Sequence, residues 1–160
     1  MIEVGSISER GRITYAFLCG RLAVTVKQWI QHAEDGDEHG ARVEIQRLEQ
    51  HPIGSEFAAV PLSFTDPVWR ADLFTFDPGV PGNHDRAHFH PTFDGYEPSD
   101  RSWDVDLKSD PIGWLRTQLG DNFADVLAVG GAADLAGGPE TADVRAALPH
   151  ILEAARRCLA

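Results

Sequence analysis

ITYAFLCGRLAVTVKQWI, residues 13 to 30, is the stretch on which the fold turns. Ile13, Tyr15, Phe17 and Cys19 alternate with Thr14, Ala16 and Leu18, the period-two spacing of a strand that turns one face to a core. Gly20-Arg21 offers a tight reversal, after which Leu22, Val24, Val26 and Ile30 share one face of a β-branched second segment. The stretch predicts a β-hairpin that begins a sheet.

Further along, residues 32–40 read as an acidic loop, and Ala41 to Leu48 resumes alternation with Ala41, Val43 and Ile45 inward. That segment predicts a third strand, with a short helix as the alternative. Phe57 to Phe64 is extended but holds Pro61, which confines it to an edge or a break in the ladder. Val68 to Phe76 predicts a further strand. The breaker cluster from Pro78 to Asn83 then predicts a hairpin pairing residues 68–77 with 85–93. After Gly95 the chain turns polar and acidic, as a surface connection would.

Asp110-Pro111 supplies a helix cap and a first-turn proline, and Ile112, Leu115 and Leu119 recur at helical spacing up to Gly120. A short helix fits Asp121 to Val129. A closing helix from about Glu140 carries Val144, Leu148, Ile151, Leu152, Ala155 and Leu159 as an apolar stripe, with Pro149 expected to kink or restart it. Strands first and helices last predict an α+β fold, an antiparallel sheet of about five to six strands with C-terminal helices on one face. At 160 residues, one domain spanning 1–160 can bury its own core.

The charge balance narrows the function. With 25 acidic against 14 basic residues the net charge is −11, and the basic residues are dispersed, so nucleic acid is disfavoured as a partner. No segment reads as a secretory signal or a membrane span. Cys19 and Cys158 sit in apolar contexts as buried thiols, which points to a reducing cytoplasm. Trp29, Trp69, Trp103 and Trp114 are expected in the core. The glycines form no phosphate-binding pattern, and the acidic loops lack the ladder of a calcium site.

Residues 81–91, PGNHDRAHFHP, carry the chemistry. On a strand, Arg86, His88, His90 and Thr92 point one way and Asp85, Ala87, Phe89 and Phe93 the other, so His88 and His90 are neighbours on one face. Two such imidazoles can ligate one divalent transition metal, with His84, Asp85 or Asp94 completing the set. They also fit acid/base catalysis, or a structural role in which each ring bonds to carboxylate or backbone. Asp72 is the candidate orienting carboxylate, with Arg70 and Arg86 as further binding residues. The simplest hairpin register sets His88 against Leu73 and His90 against Ala71, leaving Asp72 on the wrong face; a one-residue bulge brings Asp72 and Arg70 across.

Gly82 followed by His88-Phe89-His90 resembles the opening half of the first cupin motif, which implies a metal site. Cupins place a glutamate after the second histidine where this chain has Asp94, and the second cupin motif has no counterpart. Trp69 to Phe74, Asp85 to Pro91, Arg101 to Asp104 and Asp110 to Leu115 look like a set of small bacterial proteins of unknown function, a resemblance that implies no activity. The layout over residues 70–119 is similar to TumE-like toxins of toxin–antitoxin pairs. Arginine outnumbers lysine by 12 to 2, which suits a high-GC bacterial genome. These readings favour a cytoplasmic, non-enzymatic binding or regulatory protein that self-associates as a homodimer, with a His-x-His metal protein or enzyme, and a toxin-type effector, as the alternatives.

Overall fold

The computed structural model describes residues 13–31, 38–75 and 86–160. Residues 32–37 of the expected loop 32–40, most of the turn after β4, and both His84 and Asp85 lie outside the described residues, while 38–40 of that loop belong to a strand. Strands β1 Tyr15–Cys19, β2 Leu22–Gln31, β3 Glu38–Gln50, β4 Leu62–Phe74 and β5 His88–His90 form one antiparallel sheet in that order. A separate ribbon pairs β6 Phe93–Asp94 with β7 Glu97–Pro98. Helices α1 Val105–Ser109, α2 Pro111–Leu119, α3 Phe123–Val129 and α4 Pro139–Leu159 follow, with a 3-10 turn at Ala133–Leu135 before α4. This is the α+β architecture the sequence predicts, five antiparallel strands with the C-terminal helices packed on the sheet.

Alternation sorts the strands. Leu22, Val24 and Val26 of β2, Val43 and Ile45 of β3, and Trp69, Ala71 and Leu73 of β4 join Leu115, Leu119, Val144, Ile151 and Ala155 in one buried core between sheet and helices. Fully burying each large aliphatic chain contributes roughly 1.5–3 kcal/mol. Trp69 stacks on Trp114 of α2 at 5.8 Å between ring centroids, and Phe89 of β5 meets the same indole at 5.2 Å. This aromatic trio fixes α2 beneath β4 and β5 and so braces the back of the histidine strand.

The β1–β2 reversal is the tight turn expected, with Cys19 paired to Leu22 and Gly20 at φ +65°. Glu140, buried at the start of α4, accepts from the Arg21 backbone N–H at 3.2 Å and from its guanidinium at 3.3 Å, tying the hairpin to the helix. A Cβ at Gly20 would stand 2.5 Å from Glu140 Oε2. Gly20→Ala is therefore expected to lose about 1–2 kcal/mol, the cost of a left-handed backbone for an L-residue, and more if the carboxylate is displaced. Urea denaturation with a lowered midpoint and an unchanged slope would show it.

Several expectations are corrected. β3 is a strand and runs longer than Ala41–Leu48, because its pairing continues along both β2 and β4. Residues 57–64 form no separate strand: β4 starts at Leu62 and passes through Pro67, where the β3–β4 register shifts and so tolerates a residue without an N–H. The segment after Gly95 is more than a connection, since it contains β7 and also α1, capped by the Asp104 carboxylate on Asp106 N–H. The closing helix neither restarts nor divides at Pro149, because its packed stripe, including Val144, Ile151 and Ala155, holds both sides of the proline. Trp69 and Trp114 are core, as expected, but Trp103 is 50% exposed and Trp29 only half-buried. Among the described residues, no helix is long and apolar enough to cross a membrane.

Candidate metal centre

The face of the sheet opposite the core is ionic, and much of it is buried. Pairing aligns Lys27, Arg42, Asp72 and His88 in one row across β2 to β5, and Thr25, Glu44, Arg70 and His90 in the next. Glu44, Asp72, His88 and His90 are each less than a tenth exposed. Burial on this scale costs several kcal/mol per unpaired ion, so the charges must be paired. They are. Arg70 donates twice to Glu44 Oε2, at 3.0 and 2.9 Å, and Lys27 Nζ lies 3.1 Å from Glu44 Oε1 as an ion pair without the direction of a hydrogen bond. Arg42 donates to Asp72 through Nε at 2.7 Å and through its terminal nitrogen at 3.2 Å, with its guanidinium 4.3 Å above the Trp29 ring.

The chain after β5 folds back over this face. Phe93 lies 5.3 Å from the Arg70 guanidinium, the Tyr96 hydroxyl donates to the Thr65 carbonyl, and the Ser99 carbonyl faces His90. Ser102 pairs with Phe89 on the outer edge of β5, so that edge is closed over the bonded positions.

Of the two pairings the sequence leaves open, the structure takes the one that sets Asp72 and Arg70 across from the histidines, not the simplest hairpin register. Asp72 stands directly across from His88, and Arg70 across from His90, with no shift along β4–β5. The physical reason is the apolar alternation of both strands: Trp69, Ala71 and Leu73 must share the core face with Ala87 and Phe89. Matching those residues, rather than minimising the turn, would have found Asp72 from sequence. Asp94, the ligand expected after His90, is exposed in the β6–β7 ribbon, because the chain leaves the sheet at Pro91. Arg70 is occupied by Glu44, whereas Arg86 lines the same cavity as the histidines. Lys27, Trp29, Arg42, Glu44 and Arg101 were not among the expected site residues; the face shared by the first four appears once the strand order is known, and Arg101 comes to the cavity from the chain after β7.

Asp72, His88 and His90 offer ligand atoms that all lie within 4.8 Å of one another. Each histidine is oriented by a main-chain carbonyl: Nδ1 of His88 lies 2.6 Å from the Arg86 oxygen, and Nδ1 of His90 lies 2.6 Å from the Ser99 oxygen. A carbonyl only accepts, so both Nδ1 atoms carry hydrogen and the lone pair of the neutral ring sits on Nε2. For His88 that nitrogen is 3.1 Å from Asp72 Oδ2, a contact that is attractive only with a proton or a cation between the two atoms. Burial lowers the His90 pKa, the nearby His88 adds to the effect, and the Ser99 bond only partly offsets it, so His90 stays neutral with a free lone pair. Burial alone would raise the Asp72 carboxyl, but the hydrogen bonds and charges of His88 and Arg42 outweigh it and hold the group down at about 2.

Asp72, His88 and His90 open into a cavity of about 280 Å³ that is also lined by Trp29, Arg42, Phe74, Arg86 and Arg101. Gly40, between Trp29 and Phe74 in the sheet, leaves room for the phenyl ring: a Cβ there would lie 2.6 Å from it. No protein-family model, no curated protein and no solved structure matches this chain.

Proposed function

We propose that the protein is a metal-dependent enzyme whose divalent transition metal is held by Asp72, His88 and His90. One observation carries the reading: two buried imidazoles, each locked by a carbonyl at Nδ1, stand with a buried carboxylate so that one ligand atom from each lies within 4.8 Å of the others. Carbonyl-anchored Nδ1–H groups are the usual outer support of metal-bound histidine. An ionised carboxylate and a neutral imidazole are also the protonation states a metal requires. Asp72 can keep Oδ1 on Arg42 while Oδ2 faces the ion, so Arg42 serves as the positioning residue for the carboxylate. Bonds of about 2.1 Å would draw the three donors closer together than they stand, a movement within reach of side-chain rotation. Three protein ligands leave coordination positions open toward the cavity, and there the ion would polarise a bound oxygen of a substrate.

The test is metal loading of chelator-stripped protein. Cobalt, manganese, zinc and iron(II) are each added, bound metal is counted, and thermal unfolding is followed. A metal present at 100 times its Kd stabilises the folded state by about 2.7 kcal/mol. For a chain of this length that raises Tm by roughly 5–11 °C. His88→Ala and His90→Ala should abolish the rise, while His150→Ala, exposed on α4, should keep it. Wild-type protein that takes up no metal and shows no shift with any of the four ions overturns the reading.

A further inference from the structure

The connection between β3 and β4, residues 51–61, projects its apolar side chains outward. Ile53, Phe57 and Val60 of the connection are 67, 88 and 42% exposed, and Leu62 and Phe64 at the start of β4 are 46 and 40% exposed. A single exposed apolar side chain needs no explanation, but a group of them on one arm marks a contact surface. The arm has a defined shape: the His51 N–H donates to the Pro61 carbonyl at 2.9 Å, and the Ala58 N–H to the Ser55 carbonyl at 3.0 Å. Tyr96 is 74% exposed and is tied by its hydroxyl to the Thr65 carbonyl, which extends the group onto the returning chain.

We infer that this arm is the surface through which two copies of the chain pair as a two-fold dimer. Area is the first reason. At about 200 Å² for an aromatic side chain and about 120 Å² for an aliphatic one, the exposed fractions leave roughly 600 Å² open to water, most of it apolar. A stable interface covers about 800 Å² on each partner, a little over half of it apolar, so the arm can supply the apolar part of one. Charge is the second reason. Between Arg47 and Arg70 the chain has no lysine or arginine, and Glu49, Glu56 and Asp66 are exposed around the apolar group. An anionic lipid surface or a nucleic-acid backbone is therefore repelled. Two-fold pairing sets the same arm against itself and requires no second patch. The acidic rims of the two copies then face each other, each on a chain of net charge −11, so apolar burial drives the association and charge opposes it. Leu62 and Phe64 open β4 whereas Asp72 lies near its end, and the inference does not depend on the metal reading.

Sedimentation equilibrium of the metal-free full chain tests this. The wild type should pass from monomer to dimer as its concentration rises. It should dimerise more tightly as salt is raised from about 0.01 M to about 1 M, which shortens the screening length from about 30 to about 3 Å and relieves the facing acids. Phe57→Asp should weaken the dimer by about a hundredfold or more, because each of two symmetric copies loses its most exposed aromatic. Its far-ultraviolet circular dichroism should remain that of the wild type, since the replaced side chain has no part in the core. Val105→Asp, at a side chain 75% exposed on α1, should dimerise as the wild type does. A wild type that stays monomeric up to about 1 mM overturns the inference and leaves the arm to a different protein. A dimer that survives Phe57→Asp overturns it by lying elsewhere, and one that weakens as salt rises overturns it by showing that unlike charges meet.

Discussion

Asp72→Ala is expected to lose about 3–5 kcal/mol of stability and all metal binding at once, the loss seen when one member of a buried ion pair is removed. Asp72 is 4% exposed and lies between the Arg42 guanidinium at 2.7 Å and His88 Nε2 at 3.1 Å. Alanine leaves the Arg42 guanidinium without its acceptor, in a row whose other cation is Lys27. At about 2–4 °C per kcal/mol for a chain of this length, Tm should fall by roughly 6–20 °C. Asp72→Asn separates the two consequences. Its amide keeps the shape and one acceptor oxygen for Arg42 and so retains part of the stability, but it lacks the charge that would hold a divalent ion. A cycle with Arg42→Ala should show the two alanine substitutions to be less than additive by about 1–3 kcal/mol, as expected of direct partners. Asp72→Ala within 1 kcal/mol of wild type in urea, or Asp72→Asn still binding metal, would contradict the account.

The pairing that makes Asp72 important was only partly legible. Period-two alternation alone places His88 and His90 on one face, and it places Val43 and Ile45 on the other face from Arg42 and Glu44, because side-chain direction along a strand is a local property. Which residue stands across from His88 is a non-local property set by register. The simplest hairpin across Pro78 to Asn83 differs from the pairing found by one residue, enough to put Asp72 on the core side, and the turn alone does not choose between the two. The apolar partners Ala71 and Phe89, paired with each other in β4–β5, carry the information that decides it. A second gap concerned burial. Alternating charged residues on a strand normally read as solvated, and Lys27, Arg42, Glu44 and Arg70 have that pattern. Among the described residues, it is the return of 93–102 across this face, through Phe93, Tyr96 and Ser99, that makes it an enclosed ionic layer with a cavity. The same return removes Asp94 from the ligand set. Arg101 owes its place at the cavity to that return as well.

Acid should unfold this protein in two stages, and the sign follows from the direction of each pKa. His90 is lowered in the folded state by burial, so the unfolded chain gains its proton first, and stability present above the ordinary histidine pKa of 6.5 falls as pH drops below it. Glu44 follows at lower pH. Burial works to raise its carboxyl, but the charges of Arg70 and Lys27 and the hydrogen bonds from Arg70 prevail and lower it, so its contribution is complete above the ordinary value of 4.5 and is lost as pH falls below that. Asp72 moves from 3.8 in the ordinary state to about 2, and its contribution is complete above 3.8 and lost as pH falls toward 2. One pKa unit corresponds to 1.36 kcal/mol, so Asp72 alone supplies about 2 kcal/mol, and Glu44 adds to it over an overlapping range. Urea midpoints measured from pH 8 to pH 2 should therefore decline gently below about 6.5 and steeply below about 4.5. His90→Gln should flatten the first decline and leave the second, whereas Asp72→Asn should flatten the second and start from a lower plateau. A wild-type profile level between pH 4.5 and 2.5 would mean that the ionic layer contributes nothing to folding, and with it would go the reason for treating Asp72 as a charged ligand held in place before the metal arrives.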